Sequence, residues 1–158
     1  MTSQHPPVEL RSASFRELDA ATLYALLKLR VDVFVVEQKC PYPELDGRDL
    51  EPGTRHLWLS RADAPVAYLR VLAEPGGVNR IGRVAVAPDR RGGGLAGRLM
   101  TEALAVVGDR PTVLDAQAHL AGWYARYGYV AEGEEFLEDG IPHLRMARPG
   151  VTELPPVG

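Results

Sequence analysis

One cysteine, Cys40, stands in the 158 residues, so no internal disulfide braces the chain. Four scattered histidines complete a set with no ligand spacing, and no metal centre is expected. No apolar run approaches the roughly 20 residues that span a bilayer. Net charge is −3, which excludes a general attraction to nucleic acid or to a membrane surface. The opening MTSQHPPVELRS has neither a basic nor an apolar leader region, so a secretory signal is not expected and the cytoplasm is the expected location. There is no internal repeat and no sign of a second domain. Hydrophobic content of 46% and charged content of 25% suit one globular domain of this length. Residues 1–10 and 150–158, with their paired prolines, read as tails around a single domain at 11–149.

What is present centres on residues 81–107, IGRVAVAPDRRGGGLAGRLMTEALAVV. Val84, Ala85 and Val86 read as a buried strand, broken by Pro88 and Asp89. Two arginines and three glycines follow. Leu95, Leu99, Ala103 and Val106 then fall on one helical face. A strand that runs through glycines into a helix N-terminus makes an anion site: the first helical N–H groups lack partners, and the dipole favours negative charge. Arg90 and Arg91 add fixed positive charge suited to phosphate. The alternative is a tight turn carrying surface arginines.

Gly92, Gly94 and Gly97 formally match the dinucleotide fingerprint, with Asp115 near the place of its ribose-binding acid. Pro88-Asp89-Arg90-Arg91 intervenes between the strand and the first glycine, however, and too little chain follows Asp115 for a second mononucleotide-binding half. No Lys-Ser or Lys-Thr follows the glycines, which excludes a Walker A loop.

The run Val86-x-Pro88-x-x-Arg91-Gly92-x-Gly94-Leu95-Ala96-x-x-Leu99 resembles motif A of the GNAT acetyltransferases. Trp123-Tyr124-Ala125-Arg126-Tyr127-Gly128-Tyr129 is similar to their motif B. Arg30-x-x-x-Phe34-x-x-Glu37-Gln38, Gln117-Ala118-His119-Leu120 and Glu138-Asp139-Gly140-Ile141-Pro142-His143 resemble the ElaA-type branch. The resemblance runs from about Phe15 to Arg148. It implies acetyl-CoA as cosubstrate, its pyrophosphate held at Arg91, Gly92, Gly93, Gly94, Leu95, Ala96 and Gly97. The backbone of Val84, Ala85 and Val86 would lie along the pantetheine arm, with Gln117 and Tyr124 completing the donor site.

The rest of the chain reads in keeping with that fold. A first strand is expected at 12–18, then a helix capped by Asp19 with Leu23, Leu26, Leu27, Val31 and Phe34 as its buried stripe and Arg30 beside it. Residues 40–53 form a loop rich in Pro, Gly and acids. With Glu37, its Glu44, Asp46, Asp49 and Glu51 read as a solvated surface, or alternatively as a negative rim for a cationic acceptor. Strands at 56–61 and 65–72 form a hairpin. After the central strand and helix come a short strand at 113–116, a helix near 120–127, and two last strands at 130–137 and 144–148. The order βα-ββ-βα-βα-ββ predicts an α/β fold (α+β by some schemes): a mixed sheet with helices on both faces.

The expected reaction is direct transfer of an acetyl group to a primary amine in a ternary complex. Tyr124, a phenol protonated at neutral pH, is the candidate acid for the leaving thiolate, with Tyr127 as fallback; the alternative is a core tyrosine beside Trp123. For the base, Glu37, His119, Asp115 and His143 are all open, as is a water chain. Expected partners are acetyl-CoA and an amine-bearing acceptor, without nucleic acid or membrane. Self-association is open, since strand exchange and sheet-edge pairing both occur in this fold. Arg30, Phe34, Asp46, Asp49 and Arg70 also resemble acyl-homoserine-lactone synthases, which would imply an acyl carrier protein as donor. A CoA-binding protein without turnover is the non-enzymatic alternative.

Overall fold

The structure, a computed structural model, describes residues 7–150. The expected tail segments 1–6 and 151–158 lie outside the described residues. In chain order the elements are β1 (Val8–Ala13), α1 (Ala20–Val31), β2 (Arg55–Arg61), β3 (Ala64–Ala73), β4 (Asn79–Val86), α2 (Leu95–Val107), β5 (Thr112–Gln117), α3 (Ala121–Ala125), β6 (Val130–Glu138) and β7 (Ile141–Arg148). The strands form one seven-stranded sheet in the order β1-β2-β3-β4-β5-β7-β6. Neighbours are antiparallel except β4 and β5, so the sheet is mixed as expected.

Helices cover both faces. Leu57 and Leu59 of β2 turn toward α2, whose Leu99, Met100, Ala103 and Val107 are buried with them. Trp58, between those two leucines, turns to the other face and packs with Leu26, Leu29 and Val33 from the α1 segment. Burial on both faces explains why β2 and β3 read as nearly continuous apolar runs rather than alternating ones.

The first strand begins at Val8, inside the expected tail, and ends where it was expected to start. It is an edge strand paired only with β2, so its outer positions are polar and its pattern is weak. The stretch after it is a short turn in which Ser14 N–H donates to Glu17 at 2.9 Å. Asp19 caps α1 as expected, accepting from Thr22 N–H at 2.7 Å. The buried stripe of α1 differs from expectation: Leu26, Leu29 and Arg30 are its buried residues, while Leu23 and Leu27 are half-buried. A hydropathy pattern places Arg30 at the edge, but its ion pairs bring it inside. The helix then loosens into a π-turn at Asp32–Glu37.

One feature of the sheet creates the site. β4 pairs with β5 only at Asn79↔Thr112 and Arg80↔Val113. From Ile81 onward the two strands part, while β4 stays paired to β3. The β3–β4 register slips between Tyr68 and Arg70, opposite Arg83, whose φ is +54°. This bulge bends β4 away from β5. Left-handed backbone costs a non-glycine residue roughly 1–2 kcal/mol.

Candidate functional site

A cavity of about 350 Å³ occupies the cleft between the parted strands. Val84 of β4, Gln117 of β5 and Tyr124 of α3 line it; Ala85 and Val86 do not. Asp115 and His143 also line it; Glu37, His119 and Tyr127 do not.

Tyr124 is buried, and its ring meets Trp123 edge-on at 4.9 Å and Tyr129 at 6.3 Å. Both readings of this residue are therefore physically present, since it packs in the core and faces the cavity. Its hydroxyl has no hydrogen-bond partner among the described residues. Burial, with a smaller contribution from Tyr129, pushes its pKa up to about 12, so the phenol holds its proton at neutral pH. Tyr127 lies elsewhere: its hydroxyl faces α2 at Gly97, where an added Cβ would sit 2.7 Å from it.

The glycine loop leads into α2 with no side chain capping the helix. Gly92 and Gly94 have φ of +84° and +78°, and an added Cβ at either would meet nothing within 4 Å. Backbone conformation, not crowding, requires glycine there, and the space before the helix N-terminus is open. The first-turn N–H groups of Leu95, Ala96 and Gly97 have no intrahelical acceptor. This cradle fits an anionic phosphate group. Gly97 differs from the other two, because its missing side chain admits Tyr127.

Arg91 folds back over the end of β4, its Nε donating to the Val86 carbonyl at 3.2 Å. Its two terminal nitrogens hold Glu37 at 2.5 and 2.6 Å. Glu37 is thus a partner of the cradle arginine. The Arg91 hydrogen bond holds its carboxyl below the usual glutamate range. His119 is exposed on the turn before α3. Asp115 is paired with Arg80 at 3.1 Å. His143 is the candidate with a free nitrogen in the cavity. Its Nδ1–H donates to the Ile141 carbonyl at 2.7 Å, which leaves Nε2 unprotonated in the neutral ring, 3.7 Å from Glu138.

The acidic loop is neither a solvated surface nor an open negative rim. Glu44 and Asp49 are buried, whereas Asp46 lies at the surface with its side chain partly covered. Arg30, 1% exposed, donates to Glu44 and to Asp49, each at 2.8 Å. Arg70 holds Asp46 at 2.9 and 2.5 Å and Asp49 at 3.0 Å. Arg83 donates to the same Glu44 oxygen as Arg30, at 2.8 Å. Tyr42 donates to the other Glu44 oxygen at 2.5 Å. Three arginines therefore balance three carboxylates in one network, with Arg30, Arg70, Glu44 and Asp49 buried and Arg83 and Asp46 at its outer edge. Burial pushes the carboxyls of Asp46 and Asp49 up. Hydrogen bonds and charge from the arginines outweigh it and hold both below the usual aspartate range. Beneath them, buried His56 bonds Tyr68 at 2.6 Å, and burial lowers its pKa.

Arg83 and Gly82 are functional candidates that sequence reasoning missed. Their signal was the interruption of an apolar strand by Gly-Arg at its centre, which marks a bulge. Among the described residues no group of three or more His, Cys, Asp and Glu side chains is arranged to hold a metal. No helix among the described residues is long and apolar enough to cross a membrane.

Comparison with known proteins agrees with this geometry. The family model described as an acetyltransferase (GNAT) domain matches residues 28–148. A UPF0039 protein of Mycobacterium tuberculosis is 56% identical over 145 residues, covering 89% of this chain and 93% of the relative. ElaA of Escherichia coli is 42% identical over 147 residues, covering 89% and 96%. The crystal structure of ElaA superposes with a TM-score of 0.85, covering 90% of this chain and 99% of that one. A crystal structure described as an acyl-CoA N-acyltransferase from Pseudomonas aeruginosa is 46% identical, with a TM-score of 0.86 and coverage of 90% and 99%.

Proposed function

Because the chain belongs to the GNAT acetyltransferase family and is an acyltransferase, we propose that it moves an acetyl group from acetyl-CoA directly to the primary amine of its acceptor, in a ternary complex. The observation that carries this reading is the parting of β4 from β5. It leaves the β4 edge unpaired toward β5, beside a cavity that holds the protonated phenol of Tyr124 on one side and the imidazole of His143 on another.

The cradle at Arg91, Gly92, Gly93, Gly94, Leu95, Ala96 and Gly97 receives the pyrophosphate through backbone N–H groups and the helix dipole. Gly97 adds close packing of α2 on Tyr127. The edge of Val84, Ala85 and Val86 left unpaired toward β5 binds the pantetheine arm, and Gln117 closes the site from β5. A backbone N–H of β4 can stabilise the oxyanion, because strand geometry fixes it before the substrate arrives.

The acceptor nitrogen attacks the thioester carbonyl, forming the C–N bond. The C–S bond breaks as the tetrahedral intermediate collapses. His143 Nε2 takes the proton that the amine loses, and Tyr124 gives its hydroxyl proton to the departing thiolate. His143 takes the base role ahead of Glu37, which Arg91 occupies, and of His119, which is exposed outside the cavity. Tyr124 has the geometry of the acid: buried, protonated and without a competing partner.

Replacing Tyr124 by Phe tests the assignment, because it removes the proton donor and keeps the ring packing. Turnover in a chemistry-limited assay falls by about 10²-fold or more, the usual contribution of a positioned acid. The acetyl-CoA dissociation constant stays within a factor of two or so, since the phenol is assigned to the leaving thiolate. Unchanged kcat removes Tyr124 from the role.

A further inference from the structure

Arginine at position 83 is an expensive choice. Its backbone has φ +54°, where glycine is unstrained and asparagine is tolerated. Strain of this kind persists where the side chain has work to do. Part of that work is the contact with Glu44, which uses Nε and Nη2. The remaining terminal nitrogen, Nη1, makes no hydrogen bond among the described residues. The side chain is 22% exposed and lines the cavity, stacked over Tyr42 at 5.6 Å.

Two neighbours make this a receiving site. Gly82 also lines the cavity, and an added Cβ there would meet nothing within 4 Å. Directly across the ladder from Gly82 is Arg70, 3% exposed, whose Nε is buried without a partner. A buried donor without an acceptor is costly unless a ligand or water supplies one. The cavity therefore presents the Arg83 edge beside an unfilled space on its β3–β4 wall, with Arg70, whose terminal nitrogens hold Asp46 and Asp49, buried behind it.

The opposite wall has the other sign. Glu138, Asp139 and His143, around the β6–β7 turn, line it. Among the described residues no arginine or lysine is paired with either acid there, and Glu138 lies 3.7 Å from His143. The sum over Arg30, Arg70, Arg83, Glu44, Asp46 and Asp49 is zero, so an ammonium gains nothing from the first wall and would oppose Arg83. A carboxylate gains a charge-assisted bond there, and an amine on the same molecule gains the acidic wall.

We propose that the acceptor is a small amino acid, its carboxylate received by Arg83 at the space over Gly82 and its amine presented to His143 and Glu138. This rests on the acetyl-transfer reading of the same cavity. It predicts discrimination against polyamines and simple alkylamines. About 350 Å³ suits a molecule of amino-acid size beside the thioester.

The test compares matched acceptors: leucine with isoamylamine, phenylalanine with phenethylamine, lysine with cadaverine. Acetyl transfer is read by release of CoA thiol and by product mass. Binding is read separately, with CoA present, from the Nε–H resonances of ¹⁵N-arginine-labelled protein. The variant is Arg83→Asn, which keeps the left-handed backbone accessible and serves to assign the Arg83 signal. Thermal shift with CoA checks that the donor site is intact in it. The amino acids of the set shift the Arg83 signal and are acetylated in preference to their decarboxylated partners. Arg83→Asn raises KM for them roughly ten- to hundredfold, as expected for loss of a charge-assisted bond, and raises KM for the paired amines by less, so that the preference for the carboxylate-bearing partner is lost. Amines used as well as amino acids, or an Arg83 signal that no amino acid moves, overturns the proposal. If amino acids move the signal and no acceptor is acetylated, the carboxylate site stands and the acetyl-transfer reading fails.

Discussion

Gly97 permits a sharp energetic test of how motif A is built. It lies in the first turn of α2, where alanine is the better helix former by about 1 kcal/mol in a helix interior and somewhat less near an end. Against that gain stands one contact. An added Cβ would lie 2.7 Å from the Tyr127 hydroxyl, but 4.0 Å from the ring carbon that bears it. The first distance forces a shift; the second is ordinary contact. Tyr127 is held by Trp123 at 5.1 Å, so its ring does not yield freely. Overpacking of this kind costs about 1–3 kcal/mol.

Gly97→Ala alone should therefore be destabilising by about 1 kcal/mol, the overpacking cost less the helix gain. In a Tyr127→Phe background the hydroxyl is gone, and the same change should become neutral or stabilising by up to about 0.5 kcal/mol. The double-mutant cycle thus carries a coupling energy of about 1–2 kcal/mol, well above the error of additivity for independent sites. Urea unfolding of the four proteins measures it. If Gly97→Ala costs the same in both backgrounds, the α2–α3 contact does not explain this glycine. Acetyl-CoA binding by the double variant separates the roles further: retained affinity assigns the side-chain restriction at 97 to packing, while Gly92 and Gly94 answer to the loop.

Replacing Arg30 by Met leaves Glu44 and Asp49 buried without their common partner, and unfolding free energy should fall by about 3–5 kcal/mol; a loss below about 1 kcal/mol in urea titration would show that the arginine is dispensable. Asp46 and Asp49 have folded pKa values below their unfolded ones, so the unfolded chain binds more protons in acid. Their stabilisation is complete above the ordinary aspartate range near 4 and is lost as pH falls through the lower folded values, so urea midpoints at constant ionic strength should drop below pH 4 and stay level from 6 to 7; midpoints that rise toward acid contradict the pairing. Glu37→Gln removes the carboxylate that competes with phosphate for Arg91, and should tighten CoA binding in calorimetry at low salt; weaker binding would show that the pair presents Arg91 to the ligand.

The sequence made the fold legible where chemistry is local. Asp19 announced a helix start, Gly108 an end, and Asp139-Gly140 a hairpin turn, because each residue type satisfies a specific backbone need. The turn at Gly92 and Gly94 was readable for the same reason. What stayed hidden depends on contacts far apart in sequence. Glu44, Asp46 and Asp49 looked like surface acids, since nothing local says that Arg30, Arg70 and Arg83 converge on them from α1, β3 and β4. Arg30 was displaced from the expected stripe for the same cause: polarity argues exposure until a partner is known. Glu37 joined the base candidates on residue type alone, and only the return of Arg91 over β4 shows what it does.

These hidden contacts bear on how the cleft is held open. A strand end that leaves its neighbour exposes unpaired backbone and tends to close or pair elsewhere. In this protein the loop at 40–53 opposes that tendency. Glu44 grips the bulge residue Arg83 with the oxygen that also takes Arg30, and Asp46 and Asp49 anchor the loop to Arg70 on β3. The bulge cannot flatten without stripping Arg83 from a carboxylate that has no water to replace it. A network of charges that contributes little net stability by itself can still select one conformation over another, since every alternative leaves some member unpaired. The expense of the buried ion pairs is then understandable as the means of keeping β4 and β5 apart, with the free edge of β4 open and the wall beside it rigid.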